Sequence, residues 1–293
     1  MTLPAATDST ATMPEGDGVS LRRLTGSVGI EMSGVNLNAP IGDDLANRLR
    51  DALHNNSVLI VRGQFLTPES HVRLAKVFGD PFMPSYYAAN SLAGFPEIAI
   101  VPNFGKAKAP AEGWHTDWSH LRVPPTVSVS IEQGLAPAGG DTMFSNQYVA
   151  YDRLSDGMKD FLVGRRVKFV GSRPVGEVRK MEGTSDHLPK QSREEVANWH
   201  LIARPHPATG RTALYLNRPG EAMVQFEGMT PAESLPILRY LYDLSSNPDN
   251  VYRHSWQAGD VVCWDNQCAM HYGVHDYGDA ERTLHRITVG GAT

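Results

Sequence analysis

The apolar positions change period along the chain, and each change marks an element. After Gly42, Leu45, Leu49 and Leu53 recur every four residues, which is one stripe of a helix. Val58-Leu59-Ile60-Val61 is a short unbroken apolar run and reads as a buried strand. Thr67-Pro68-Glu69 opens a second helix, with Thr67 as its cap and Pro68 in the first turn, and Gly79 stops it. Thr230-Pro231-Ala232-Glu233 is a capping box that starts a third helix, with Leu235, Leu238 and Leu241 on its buried side. Elsewhere a period of two takes over. Residues 126–132 set Val127, Val129 and Ile131 against Ser128, Ser130 and Glu132, the pattern of a half-buried strand. Further strands are expected over 21–25, 28–32, 141–144, 166–170, 213–216, 251–256, 260–264 and 284–289. Many short strands, with helices gathered early and late, predict an α+β fold that is mainly β: a helix-covered sandwich or jelly roll. Residues 1–18 offer little to bury and are expected to be a disordered tail. Residues 19–293 are expected to form a single domain, because no composition break, linker or repeat divides them. The polar stretch 171–198 is long for a loop and is expected to be a lid.

Composition narrows the function. Hydrophobic residues make up 41% and charged residues 20%, which suits a globular chain with ample core. Subtracting 32 acidic from 27 basic residues leaves −5, so no basic footprint for nucleic acid is present. No apolar stretch approaches the ~20 residues of a membrane span. The first residues lack the basic start and apolar core of a secretory signal. Two cysteines, Cys263 and Cys268, cannot build a disulfide framework, so a reducing cytoplasm is expected. The glycine-rich motifs of nucleotide binding and the G-x-S-x-G of esterases are missing.

The strongest local signal is Trp114-His115-Thr116-Asp117. On extended chain, residues i and i+2 share a face, so an imidazole and a carboxylate converge. That is two-thirds of the triad of two His and one carboxylate that holds non-haem Fe(II). A His–Asp hydrogen bond at a strand end is the plain alternative. Among eleven histidines, His54 and His71 read as surface residues of early helices and His187 lies in the polar stretch. His271 follows an expected strand and turn, so it re-enters the core and is the preferred third ligand. His275 makes H-x-x-x-H with it, but Gly273 and Val274 disfavour the helix that spacing needs, so His275 is read as surface. Arg282 and Arg286 lie four residues apart on one strand and share a face, with Ile287 and Val289 on the other. Buried guanidinium groups without a carboxylate on their own strand point to anionic ligands. An arginine that reaches solvent or pairs with a distant acid is the alternative.

Taken together, His115 and Asp117, Gly139-Gly140-Asp141-Thr142, Trp264-Asp265-Asn266, His271-Tyr272 and Arg282 to Arg286 resemble one family. It is the Fe(II)- and 2-oxoglutarate-dependent dioxygenases of the taurine dioxygenase/TfdA group, and the resemblance runs from about Leu24 to Val289. The resemblance implies a double-stranded β-helix. It implies that His115, Asp117 and His271 bind Fe(II), and that Arg282 and Thr142 hold the distal carboxylate of 2-oxoglutarate. It further implies reaction with O2, giving succinate, CO2 and an oxidised substrate. Retention of Asp117 argues against halogenation, which needs that position vacant. Arg286 matches an arginine that grips an acidic group of the substrate in many relatives, and Tyr86 and Tyr87 fall at substrate-contacting positions. Relative to the taurine enzyme, Pro84 and Ala111 replace a His and an Asn, which disfavours taurine and suggests a larger or aromatic acid. Trp114 and Trp118 are expected to wall the site. Expected partners are therefore a small anionic molecule and no nucleic acid or membrane, in a homo-oligomer. A biosynthetic tailoring oxygenase of the same family acting on a larger substrate is the nearest alternative. A zinc hydrolase or a non-catalytic 2-oxoglutarate sensor is the alternative of another class.

Overall fold

The computed structural model describes residues 13–14, 18–83, 90–102, 113–174 and 193–290. In chain order the first elements are β1 (Met13–Pro14), β2 (Ser20–Arg23), β3 (Ile30–Ser33), α1 (Asp43–Asn56), β4 (Val58–Val61), α2 (Pro68–Phe78), β5 (Ser91–Leu92) and β6 (Phe95–Val101). Then come β7 (Val127–Gly134), β8 (Thr142–Asn146), α3 (Gln147–Asp152), α4 (Asp156–Leu162), β9 (Arg166–Pro174) and β10 (Arg193–Leu201). The last are β11 (Ala203–Pro205), β12 (Thr212–Leu214), β13 (Met223–Phe226), α5 (Pro231–Ser245), β14 (Val251–His254), β15 (Val261–Asp265), β16 (Ala269–Gly273) and β17 (Thr283–Val289).

Local chemistry explains the helix starts. The Thr67 hydroxyl accepts the Ser70 N–H at the head of α2. Thr230 and Glu233 exchange reciprocal bonds at the head of α5. These caps satisfy amides that the first turn leaves open. The strands form a nine-stranded sheet ordered β1-β2-β3-β4-β15-β7-β17-β6-β5 and a smaller sheet ordered β14-β8-β16. All pairs in both sheets are antiparallel except β3 with β4. The large sheet sorts its side chains strictly. Val127, Val129, Ile131, Val261, Ile287 and Val289 pack with Leu49 and Leu53 of α1 and Leu74 of α2. The opposite face carries Val58, Ile60, Val262, Trp264 and Leu284, which meet Phe144 of the smaller sheet. A further core joins α3, α4 and α5 to β9–β13. The result is a double-stranded β-helix, or jelly roll, with helices over its outer face.

Four expectations need correction. The strand expected to be half-buried is covered on both faces: Ser128 and Ser130 are as inaccessible as Val127 and Val129. They face the space between the sheets, not water. The expected tail contains β1, which pairs with Ser20 and Leu21, while 1–12 and 15–17 lie outside the described residues. The ends of the expected lid are strand, because β9 and β10 pair from Pro174 with Arg193 to Arg166 with Leu201. The rest of that stretch, 175–192, lies outside the described residues. Finally, His71 is fully buried beneath β7, where its Nε2 meets the Val129 carbonyl at 3.0 Å. Desolvation there lowers its pKa to about 4. Among the described residues no helix is long and apolar enough to cross a membrane.

Candidate functional site

Two backbone hydrogen bonds bring the sequence's two strongest histidines face to face. The His115 N–H donates to the His271 carbonyl at 3.0 Å and the His271 N–H returns to the His115 carbonyl at 2.9 Å. Directly opposed residues project side chains to the same face. The rings stand 4.1 Å apart between centroids. Asp117 is placed by the turn that follows, and its Oδ1 lies 4.0 Å from His115 Nε2 and 3.8 Å from His271 Nε2. Ligand atoms of all three residues fall within 4.8 Å of one another.

Tautomers favour a cation at that point. His115 Nδ1 lies 2.9 Å from the Gly113 carbonyl, which can only accept, so Nδ1 carries the proton and Nε2 is a bare donor pair. Burial lowers the pKa of His115 and holds that of His271 well below the ordinary value, so both rings are neutral at pH 7. Burial would raise the Asp117 carboxyl, but Arg286, then His271 and His115, and the Ser128 hydroxyl bring it to about 2. Two neutral imidazoles and one carboxylate, converging and largely desolvated, are the donor set of a non-haem Fe(II) centre.

Beside the triad lies a cavity of about 550 Å³, counted to its open mouth. Thr142, Trp256, Tyr277, Arg282, Leu284 and Arg286 are among its lining residues. Both arginines thus share one face, as their spacing predicts. Arg282 is 9% exposed and sits against the rings of Tyr277 and Trp256 at 5.6 and 6.0 Å. Desolvation lowers its pKa, and Tyr277 opposes that with a hydrogen bond. The glycine pair explains itself here. Gly140 adopts φ +77°, and a Cβ on it would lie 2.9 Å from Arg282 Cδ. The indole N–H of Trp256 donates to Thr142 Oγ1 at 3.0 Å. Because an indole N–H cannot accept, the Thr142 proton points elsewhere, and the cavity beside Arg282 is open to it.

Arg286 differs from expectation in one respect. Its own strand has no carboxylate on that face, but Asp117 supplies one: Nη1 lies 3.4 Å from each Asp117 oxygen. The Arg286 Nε is buried and has no hydrogen-bond partner among the described residues. A guanidinium with a spare buried donor, sharing a carboxylate with a cation site, retains capacity for an anion. Its other neighbour is Trp118, whose ring centroid is 5.9 Å from the guanidinium carbon. Phe82 meets Trp118 edge-on at 5.9 Å, and Trp118 is held at φ 41°, uncommon for a bulky residue. Trp114 does not wall the site. It is buried among Met270, Leu216 and Tyr215 in the helical core and leans on Tyr272. Tyr86 and Tyr87, with Pro84 and Ala111, lie outside the described residues. His275 lines the cavity and is half-buried, not a surface residue.

Sequence reasoning missed Ser128, Trp256 and Tyr277. Ser128 had a signal: a serine in period with buried valines, which also fits a solvent-facing position. It missed a second grouping as well, His54 and His206 around Asp265. His54, read as a surface residue, reaches Asp265 Oδ2 through Nδ1 at 2.6 Å, and His206 Nε2 reaches the same oxygen at 2.8 Å. The Ala208 N–H donates to His206 Nδ1, so Nε2 must carry the proton. This grouping is therefore a hydrogen-bonded clamp. Burial would raise Asp265, yet His206 and His54 bring it to about 2. Asp265 Oδ1 takes the Gln267 N–H at 2.9 Å, which shapes the turn that returns the chain to His271.

Comparison with known proteins agrees with this geometry. The family model described as "Taurine catabolism dioxygenase TauD, TfdA family" matches residues 20–288. An alkylsulfatase of Acinetobacter baylyi is 30% identical over 281 residues, covering 93% of this chain and 85% of the relative. An alpha-ketoglutarate-dependent 2,4-dichlorophenoxyacetate dioxygenase of a Burkholderia species is 30% identical over 261 residues, covering 83% and 84%. The crystal structure of a taurine dioxygenase from Burkholderia xenovorans superposes with TM-score 0.77 at 29% identity, covering 94% of this chain and 90% of that one.

Proposed function

The chain belongs to the taurine catabolism dioxygenase TauD, TfdA family and is a 2-oxoglutarate-dependent dioxygenase; from that premise we infer that it acts on a small anionic organic substrate and that His115, Asp117 and His271 hold Fe(II) in the jelly roll. One observation carries the inference: the paired histidines and Asp117 present a bare Nε2 and a carboxylate oxygen to one point, beside a cavity lined by buried Arg282. When bound, Fe(II) supplies the redox centre at which O2 and 2-oxoglutarate give succinate and CO2 while the substrate is oxidised. His115, Asp117 and His271 would supply all three protein ligands, and the keto acid and O2 would meet the ion there. Arg282 and the Thr142 hydroxyl bind the distal carboxylate of 2-oxoglutarate, a charge-assisted pairing in a dry pocket. Trp256 orients Thr142 for that task by occupying its acceptor side.

Arg286 binds the acidic group of the substrate, supported by its buried free Nε and by its place in the same cavity. Trp118, with Phe82 edge-on against it, lies beside the Arg286 guanidinium and suits an organic acid with a bulky or flat apolar part. Among the chemistries of its relatives, a sulfate ester or an aryloxy acid fits that pairing. Hydroxylation at the carbon that bears the ester or ether oxygen gives an unstable hemiacetal-type product. It collapses with C–O cleavage, releasing the anion or phenol. A zinc hydrolase built on the same triad leaves Arg282 and Thr142 without a ligand. Cytoplasmic residence, which suits the buried thiols Cys263 and Cys268, and homo-oligomeric assembly belong to the same reading. Succinate release across alkyl sulfates, alkanesulfonates and aryloxyalkanoates, beside their neutral esters and cationic amines, tests the substrate class. Strong stimulation by a sulfate ester or aryloxy acid is expected. Stimulation only by neutral or cationic compounds would remove Arg286 from the substrate site.

A further inference from the structure

The two oxygens of Asp117 live in different surroundings. Oδ1 faces His115 Nε2 and His271 Nε2 at 4.0 and 3.8 Å. Oδ2 takes a hydrogen bond from Ser128 Oγ at 3.0 Å. Arg286 cannot tell them apart, because its Nη1 is 3.4 Å from each. What distinguishes them is Ser128, and Ser128 is itself directed.

The direction can be followed atom by atom. The Trp264 indole N–H can only donate, and it lies 3.2 Å from Asn266 Oδ1. That fixes the Asn266 amide, with Nδ2 toward Ser128 Oγ at 3.0 Å. An amide N–H₂ also only donates, so Ser128 Oγ accepts and its single proton goes to Asp117 Oδ2. Asn266 Oδ1 takes the Asp117 backbone N–H as well, at 3.4 Å. Ser128 is wholly buried, and Asn266, Trp264 and Asp117 are 1%, 3% and 7% exposed, so water offers little competition. The Asp265 clamp beside Asn266 anchors the same turn.

We propose that Trp264, Asn266 and Ser128 form a one-way hydrogen-bond relay that fixes the rotation of the Asp117 carboxylate, presenting Oδ1 to the metal and holding it there against Arg286. Ser128 is thus a positioning residue, as are the two residues behind it. The inference rests on the metal reading of the triad and adds to it what keeps the shared carboxylate in place. Without the Ser128 proton, nothing in the relay distinguishes the two oxygens, since Arg286 meets both alike, and the carboxylate is free to rotate. Loss of an outer partner of a metal ligand costs about 10–100-fold in affinity.

The test is titration of metal-free protein with Co(II), followed by its visible absorption, together with the melting temperature of the metal-free form. Ser128→Ala should bind Co(II) about 10–100-fold more weakly than wild type, while the metal-free protein still melts cooperatively, a few degrees lower because Asn266 Nδ2 and Asp117 Oδ2 lose a buried partner. Ser128→Thr keeps a hydroxyl and suits a strand, and should restore affinity to within a few-fold. Equal affinity in Ser128→Ala and wild type would overturn the relay. So would equal loss in the Ala and Thr variants, which would mark a packing effect. His115→Ala separates the two levels of the argument: a wild type that binds no Co(II), or a His115→Ala protein that binds it equally well, sinks the metal reading and this inference with it.

Discussion

Replacing Arg282 by Ala removes a buried cation from the cavity wall. Arg282 is 9% exposed and forms no ion pair among the described residues; its neighbours are Tyr277, Trp256 and the backbone at Gly140. Burial already lowers its pKa, a sign that the guanidinium lacks solvation that a bound carboxylate would replace. A buried, charge-assisted pair is worth on the order of 2–5 kcal/mol. At about 1.4 kcal/mol per tenfold, its loss should raise the KM for 2-oxoglutarate from roughly 30-fold to a few-thousand-fold. The triad is untouched, so Co(II) affinity should stay near wild type. Arg282→Lys keeps the charge but loses the bidentate fork, so its KM should fall between the two. Succinate formation is measured at increasing 2-oxoglutarate with substrate saturating. An unchanged KM, or a loss of metal that matches the loss of activity, would refute the assignment.

Three further outcomes follow from the same geometry. His271→Ala should lose metal and all 2-oxoglutarate turnover, since one of only three protein ligands is gone; stoichiometric metal with full activity would take His271 out of the site. Arg286→Ala should weaken substrate binding by about 2–4 kcal/mol while slow substrate-independent 2-oxoglutarate consumption persists, read as succinate formed with and without substrate. His71 gives a pH effect with a definite sign: its folded pKa of about 4 lies below the ordinary 6.5, so the unfolded chain binds the extra proton. Its contribution is therefore harmless above pH 6.5 and costs up to about 3 kcal/mol as pH falls to 4. His71→Gln, which can still donate to the Val129 carbonyl, should lose less stability over that range in denaturant unfolding at pH 7 and pH 4.

Sequence pattern located α1, α2 and α5, and Thr67, Thr230 and Glu233 cap in the structure as their spacing implies, but it missed α3 and α4, which are too short to show an apolar period. Other elements lack such marks. β16 carries His271, yet Ala269–Gly273 shows no alternation, and its strand character comes from pairing with β8. The site was legible where chemistry is unusual, in His115, Asp117 and the paired arginines. It was not legible where polarity is ambiguous. Ser128 and Ser130 alternate with valines just as solvent-facing residues would, and only a second sheet over them makes that face interior. His71 shows the converse, since a histidine on a short amphipathic helix gives no hint that it points at the sheet. Asn266 sits in the turn before His271, and that turn lies close enough to β7 for its amide to reach Ser128, which residue order alone does not show.

The central claim is that the triad holds Fe(II) and the adjoining cavity brings 2-oxoglutarate to it. Anaerobic addition of Fe(II) and then 2-oxoglutarate to the metal-free protein tests it directly. A weak visible metal-to-ligand charge-transfer band should develop only when both are present, should vanish in His271→Ala, and in Arg282→Ala should require far more 2-oxoglutarate. No band in the wild type, or an unchanged band in His271→Ala, would contradict the account.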